Sequence, residues 1–328
     1  MKRALAAVLC AAVCGPCLGC SEASPGEPPA DAPGAGTASL DPSAPVVGSF
    51  AVMLVAPTST TDGFTSVLGR VYDAPMPAQL GWDVAATAQG CELRIPVVPF
   101  CDPGCDTSAV CTQEAGCVPY PAAQDLGTVT MTGLQASAID MQPIAATYQL
   151  PPAIELPHPP TEEGAAIRLQ TGGGAYEPFQ IAGKGIAPLE LSGPELIPLD
   201  GAEPLTLKWQ KASDPRASRI QVKVDISHHG GLKGVIECDV EDAGETEIEA
   251  SLIAGLIALG AAGFPTINVN RVATSGVKID PGNVLLSVSS RAERALEIAG
   301  VVSCNDDVEC NTGQTCAPDR TCQDSEAP

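Results

Sequence analysis

Ten cysteines lie between residues 91 and 322, in two runs with a single member between them. Cys91, Cys101, Cys105, Cys111 and Cys117 form the first run, Cys238 stands alone, and Cys304, Cys310, Cys316 and Cys322 form the second. An even set of closely spaced thiols reads either as a disulfide framework or as zinc ligands. Zinc sites favour paired C-x2-4-C knuckles, and only Cys101-x3-Cys105 comes close. The disulfide reading follows, and it demands an oxidising compartment. A chain stapled in this way is built from short strands and loops. The 31 prolines and 33 glycines spread along it agree, because both interrupt long helices.

The first twenty residues supply the compartment. Lys2 and Arg3 give a short cationic start, and Ala4 to Val13 is an uncharged apolar run. Such a run is too short to span a bilayer, which takes about 20 residues, and has the length of the central region of an export signal. Gly15-Pro16 breaks it, and the small Gly19 precedes Cys20. This stretch resembles bacterial lipoprotein signals, in which the Cys after a short apolar-small motif is lipidated and becomes the mature N-terminus. It departs from them at Cys17, where an aliphatic residue is usual. The resemblance implies lipid on Cys20 and, since Ser21 is not Asp, attachment to the outer membrane. Ordinary secretion with cleavage after Ala23 is the alternative, because Ser21-Glu22-Ala23 also fits a small-x-small site.

Charge narrows the partners. Removing Lys2 and Arg3 with the signal takes the formal charge from −22 to −24. That balance excludes nucleic acid and electrostatic docking on anionic lipid. Aromatic residues are only 3% of the chain, so stacking platforms for sugars or bases are sparse. Trp82 and Trp209 are expected as core anchors.

Residues 1–19 are therefore read as signal and 20–45 as a Pro/Ala/Gly-rich tether. The tether reaches roughly 25–30 Å as a coil and two to three times that if extended as polyproline II. A β-rich domain over 46–185 follows. Val47 to Val55, Phe64 to Tyr72, Trp82 to Ala88 and Cys91 to Val98 carry strand patterns, with turn chemistry at Thr60-Thr61-Asp62-Gly63. The four Cys of residues 99–119 make a stapled loop, either a recognition knob or a stiffener of a long connection. Asp125 to Leu134 is a further strand, and Ala165 to Leu169 with Phe179 to Ile181 reads as a hairpin. Pro151 to Pro160 is a domain linker or a crossover along a sheet edge.

Residues 186–303 form the second domain. Leu205 to Trp209, Ile220 to Ile226 and Gly234 to Val240 are strands, Ser251 to Ala262 is a short buried helix, and Val284 to Val288 and Leu296 to Val302 are two closing strands. The whole is mainly β, an antiparallel sandwich. The Trp209…Cys238 order resembles immunoglobulin and fibronectin type III domains, although no second Cys sits in a matching late strand. Residues 304–328 form a Cys-rich tail of spacing C-x5-C-x5-C-x5-C, which resembles short cysteine modules of exported bacterial lipoproteins and animal extracellular proteins. The chain as a whole resembles acidic, Cys-rich surface lipoproteins of large-genome soil bacteria, a group that implies no particular activity.

Chemistry is sparse. His228-His229, even taken with Asp225, offer a metal too few ligands, since a site needs three or four; they read as turn residues, and His158 lies in the proline-rich segment. Gly183-Lys184-Gly185 is too short to cradle phosphate. Asp306, Asp307 and Glu309 offer oxygen ligands of the kind calcium takes, but lack EF-hand spacing and read as a solvated loop. No catalytic residue, metal or cofactor is assigned. The chain is read as a lipid-anchored envelope protein with a binding, adhesive or structural role towards a protein or glycan, the alternative being an exported hydrolase or an accessory subunit of an envelope enzyme.

Parity suggests the pairing: Cys304–Cys316 and Cys310–Cys322 in the tail, Cys101–Cys111 and Cys105–Cys117 in the loop, and Cys91–Cys238 between the two halves. A buried free Cys238 is the alternative. For the anchor, the expected outcome is that Cys20→Ala moves the protein from the membrane to the soluble fraction. Intact mass of the purified mature protein checks it, and an unmodified N-terminus beyond Cys20 would contradict lipidation.

Overall fold

A computed structural model of the protein describes residues 39–57 and 62–325. The signal, Cys20, most of the tether, and Thr60 and Thr61 of the first expected turn lie outside the described residues.

Alternating apolar residues set the strands. β1 (Val46–Val55) and β2 (Phe64–Val71) form one hairpin, and β3 (Gly81–Ala88) and β4 (Cys91–Val97) a second. β5 (Ala109–Thr112) and β6 (Gly116–Pro119) form a small hairpin inside the stapled loop. β7 (Val129–Thr132), β8 (Ile139–Met141) and β9 (Tyr148–Gln149) follow, then β10 (Ala166–Thr171) and β11 (Gln180–Lys184). The second half supplies β12 (Leu196–Leu199), β13 (Leu205–Lys208), β14 (Arg219–Asp225), β15 (Val235–Glu241) and β16 (Glu245–Ile248). The helix α1 (Ala250–Ile257) precedes β17 (Thr266–Lys278) and β18 (Asn283–Ile298), and β19 (Gln314–Cys316) and β20 (Cys322–Asp324) lie in the tail.

The mainly β expectation holds. One ten-stranded sheet runs β3-β4-β15-β14-β17-β18-β1-β2-β9, with β12 also beside β18. A four-stranded sheet, β11-β10-β7-β8, packs beneath one part of it, and β13–β16 with α1 beneath the other. Two pairings are parallel, β1 with residues 283–291 of β18 and β12 with residues 295–298. The two short strands lie end to end along one edge of a single long strand. The first core gathers Phe50, Val52, Met131, Ile167 and Leu286; the second gathers Trp209, Ile220, Ile236, Leu252 and Leu296. Each such side chain, fully buried, contributes roughly 1.5–3 kcal/mol. The expected divide at 185/186 separates most of the two cores, yet the large sheet takes strands from both sides of it.

The β17–β18 hairpin joins these cores. Its pairs run from Thr266↔Ala295 to Lys278↔Asn283, a span of roughly 40 Å at the usual strand rise. At its turn Lys278 pairs with Asp41 at 2.6 Å, and Asn283 donates through Nδ2 to the carbonyls of Asp41 and Ala44. Hydrogen bonds from Lys278 and Ser43 hold the Asp41 carboxyl far below the usual carboxylate range.

Several local expectations change. The two closing strands expected at 284–288 and 296–302 are one strand of 16 residues, because Ser289 to Arg294 continue the alternation with polar side chains. β17 had no counterpart in the sequence reading. Pro151 to Pro160 is a crossover along the sheet edge: Thr65 donates its N–H to Leu156 and its hydroxyl to Pro157. The helix is shorter than expected and closes onto Gly260, whose φ of +86° only glycine takes without cost. Trp209 is buried, while Trp82 is half-buried on an edge strand.

All ten cysteines are paired, as Cys91–Cys238, Cys101–Cys111, Cys105–Cys117, Cys304–Cys316 and Cys310–Cys322. Cys91 and Cys238 face each other across β4 and β15. Their link closes 147 residues, worth about 5 kcal/mol in the chain-entropy account.

A fully buried ion pair sits in the second core. Arg271 on β17 is 1% exposed and Asp242 is 0% exposed, at 2.6 Å. The Arg271 guanidinium donates to both Asp242 oxygens and to the carbonyls of Ala187, Pro188 and Gln210. Trp209 Nε1 and Ser218 Oγ complete the carboxylate's partners at 2.7 and 2.8 Å. Burial alone would raise the Asp242 carboxyl, but the hydrogen bonds from Arg271, Ser218 and Trp209, with the Arg271 charge, outweigh it and hold the carboxyl below 3.8. Asp242→Ala should therefore cost about 3–5 kcal/mol, since it leaves a buried cation unpaired. Because the native carboxyl is held low, its contribution is present above the unfolded value and fades as pH falls through the native one. Urea midpoints of wild type and Asp242→Asn should differ at pH 7 and converge in acid below about pH 4. A difference that persists unchanged in acid would contradict this.

Candidate functional site

Among the described residues, the ten-stranded sheet is packed over on one face. The four-stranded sheet, β13–β16 and α1 all pack on the side of Phe50, Val222 and Leu286. On the other face, among the described residues, most of the alternate residues of the strands meet solvent, while Thr266 and Asn268 on β17 and Val235 on β15 are buried. Along β1 these are Ser49, Met53 and Val55, along β2 Phe64, Leu68 and Arg70, and along β14 Arg219 and Gln221. The registers place them in rows across the sheet. Ala51, paired with Leu68, continues through Ser287 to Thr274; Met53, paired with Ser66, continues through Ser289 and Val272 to Arg219. The next row runs Phe64, Val55, Arg291, Asn270, Gln221 and Asp239.

The face changes character from one side to the other. At β1–β2 it is apolar, with Met53, Val55, Phe64 and Leu68 between 37% and 50% exposed. Its middle carries hydroxyls and amides, and at β14, β15 and β4 it is a lattice of paired charges. Arg94 bridges Glu92 at 2.7 Å and Glu237 at 3.2 Å, and Arg219 meets Asp239 at 2.6 Å. Arg291 reaches Glu293 at 2.5 Å and Asn268 at 2.6 Å. Exposed pairs of this kind add little stability, typically about 0–1 kcal/mol. They make the face nearly neutral in a chain of charge −22.

A trough of about 1380 Å³ crosses this face. Its floor holds Ser287, Ser289, Asn270 and Thr274, one wall is Met53 to Pro57, and the other is the segment from Leu189 to Glu195. That segment fills the interval between the end of β1 and the start of β12, and Glu195 pairs there with Arg294 at 3.4 Å. The sequence did not single out any of these residues. The signal available was the polar alternation in Ser287, Ser289, Arg291 and Glu293, which reads as solvent-facing without saying that several strands share the face.

The residues picked out from sequence are placed elsewhere. His228 and His229 lie in the β14–β15 turn with ring centroids 3.9 Å apart. His229 takes φ +64°, and Gly230 has no room for a side chain, since a Cβ there would collide with the backbone of Gly263. Asp225 spends its carboxylate on Ser227, accepting from the N–H at 2.9 Å and the hydroxyl at 3.3 Å. Asp306, Asp307 and Glu309 each accept a backbone N–H, from Val308, Cys316 and Asn305 at 3.0, 2.8 and 2.7 Å, so they cap turns instead of converging. Gly183 and Gly185 are sites of close packing, against Leu286 and against the carbonyl of Glu162. Burial holds the His158 imidazole below the ordinary histidine value. Among the described residues, the sulfur clusters Cys101/Cys105/Cys117 and Cys304/Cys310/Cys322 have ligand spacing, and every sulfur in them is in a disulfide.

Comparison with models of known protein families and with curated proteins finds no match for this chain.

For the turn, Gly230→Ala is expected to destabilise the protein by more than about 1 kcal/mol, because its Cβ meets backbone. His228→Ala/His229→Ala should fold normally, with no change in bound metal. Elemental analysis and thermal melts check both outcomes; stoichiometric zinc lost in the double variant would contradict the assignment of the pair to turn geometry.

Proposed function

We propose that this protein is a lipid-anchored component of the cell envelope that binds a protein partner on the open face of its large sheet. The observation that carries the reading is the face itself, which among the described residues stays largely open across β1, β2, β14, β17 and β18 while the four-stranded sheet, β13–β16 and α1 pack on the reverse side. Its composition suits an interface. Met, Phe and Arg residues gather there, and such residues are enriched where proteins meet. The paired charges present neither a strong field nor an unsatisfied ion to an approaching surface. A protein suits it better than a glycan, since rings on it are few, Phe64 on β2 and the half-buried Trp82 on β3.

The anchor rests on the Gly19-Cys20 motif and on the tether, whose length lifts a folded body clear of lipid headgroups. Attachment to the outer membrane follows from the same resemblance and from Ser21. In this reading the lipid supplies location and the sheet supplies recognition.

A photo-crosslinking residue at Ser289 should give a discrete adduct in intact cells, and the same residue at Glu203, on the packed side, should give none. Thr274→Arg/Ser287→Arg, which fills the trough without touching either core, should abolish the adduct while leaving the thermal midpoint within about 3 °C. Equal labelling from Ser289 and Glu203, or no adduct from Ser289, would refute the face as the binding surface.

A further inference from the structure

The loop at 101–117 and the tail at 304–322 share more than cysteine. Their spacings are C-x3-C-x5-C-x5-C and C-x5-C-x5-C-x5-C, differing only in the first gap. Both join the first Cys to the third and the second to the fourth. In both, the third and fourth Cys are register partners in a small antiparallel hairpin, Cys111↔Cys117 on β5–β6 and Cys316↔Cys322 on β19–β20. In both, the residue after the second Cys accepts a turn hydrogen bond from the residue three further on: Ala109 N–H to Asp106 at 3.2 Å, and Gln314 N–H to Asn311 at 2.9 Å. The first, second and fourth sulfurs cluster within 4.8 Å in each case.

The two also sit on the body in the same way. The hairpin loop of the first, through Gln113, packs against Gly81, where a Cβ would strike its side-chain oxygen. The hairpin loop of the second, through Asp319, accepts a hydrogen bond from Gly263 N–H at 2.7 Å and packs against Gly230. The first gap is open to solvent in both: Asp102 to Gly104 and Asn305 to Glu309 are exposed throughout.

We propose that these are two copies of one disulfide unit, a fixed frame of four cysteines and a hairpin that carries a variable, exposed segment between its first and second Cys. The loop at 101–117 is then a module inserted between β4 and β7, and its bridges serve that module, not the stiffness of the connection. The gap segments differ in length and chemistry, Asp102-Pro103-Gly104 against Asn305-Asp306-Asp307-Val308-Glu309, while the frame around them is unchanged. An exposed variable segment on a rigid frame is the arrangement in which contact residues concentrate. This inference does not depend on what binds the sheet face.

Two full-length variants test it. In the first, residues 102–104 are replaced by the sequence of 305–309; in the second, all of 101–117 is replaced by the sequence of 304–322. Non-reducing peptide mapping should recover first-to-third and second-to-fourth bridges in the altered unit, with Cys91–Cys238 intact. The thermal midpoint should stay within about 3 °C of wild type. Scrambled or incomplete bridges in the gap exchange would overturn the proposal, whatever the full graft does. Correct bridges in the gap exchange but scrambled bridges in the graft would overturn the equivalence of the two frames.

Discussion

The Asp242–Arg271 pair fixes the arrangement on which the rest of the structure depends. Buried ion pairs seldom add net stability over well-packed apolar residues, because desolvation offsets the attraction. What this one adds is position. Arg271 is the inward-facing residue near the middle of β17, and each of its five N–H groups has an acceptor, drawn from three different segments of the chain. A one-residue slip of β17 would turn Arg271 out and bring Asn270 or Val272 in, losing every one of those bonds at once. The register of β17 therefore has one solution, and β14 on one side and β18 on the other inherit it.

From that register both cores follow. The inward residues of the lower half of the β17–β18 hairpin, Ile267, Val269, Leu296 and Ile298, enter the second core; those of the upper half, Val277, Val284, Leu286 and Val288, enter the first. The two halves of the chain are joined by a continuous pair of strands, not by a linker. The Cys91–Cys238 bridge adds a covalent tie at a second place, holding β4, which precedes the divide, on β15, which follows it. Pro151 to Pro160 is free to run along the edge of β2 because it carries no load between the halves, and its prolines suit an edge that must not offer N–H groups.

Much of this was legible locally and little of it globally. Strands with clean alternation, such as Ile220 to Ile226, could be read residue by residue, and so could the pairing of the cysteines by parity. β17 could not, because a charged residue occupies an inward position. In the run Ile267, Val269, Arg271, Ala273 the arginine breaks the apolar stripe that a strand is recognised by. β18 reads as two pieces for a related reason: its inward Ser290 is buried and polar, and its hydroxyl oxygen accepts the Leu189 N–H at 2.9 Å. The sheet order is a matter of long-range pairing, β1 with β18 above all, and no local pattern encodes it. The open face was hidden for the same reason, being assembled from strands far apart in sequence. The likeness of the two cysteine units was masked by two residues' difference in their first gaps.

The distribution of charge then bears on where another molecule can approach. Residues 99–119 contain three carboxylates and no Lys or Arg, and residues 304–325 contain five carboxylates against Arg320 alone. These units and the exposed turns carry much of the net charge, so copies of the protein repel one another over most orientations. The large sheet gathers Arg94, Arg219, Lys223 and Arg291 on its open face and pairs them with acids two residues along the same strand or on the neighbouring one. A wide exposed sheet would ordinarily invite self-association, at its face through apolar contact and at its edges through unpaired backbone. Here the β2 edge is covered by the crossover, the β3 edge is disturbed by an irregularity between Val84 and Ala86, and most of the large exposed apolar side chains of the face lie at the β1–β2 end, with Val84 and the half-buried Trp82 at the other. With self-pairing suppressed in each of these ways, the neutral and partly apolar face remains accessible to a different surface, one that meets the β1–β2 end with apolar groups and the β14–β15 end with polar ones.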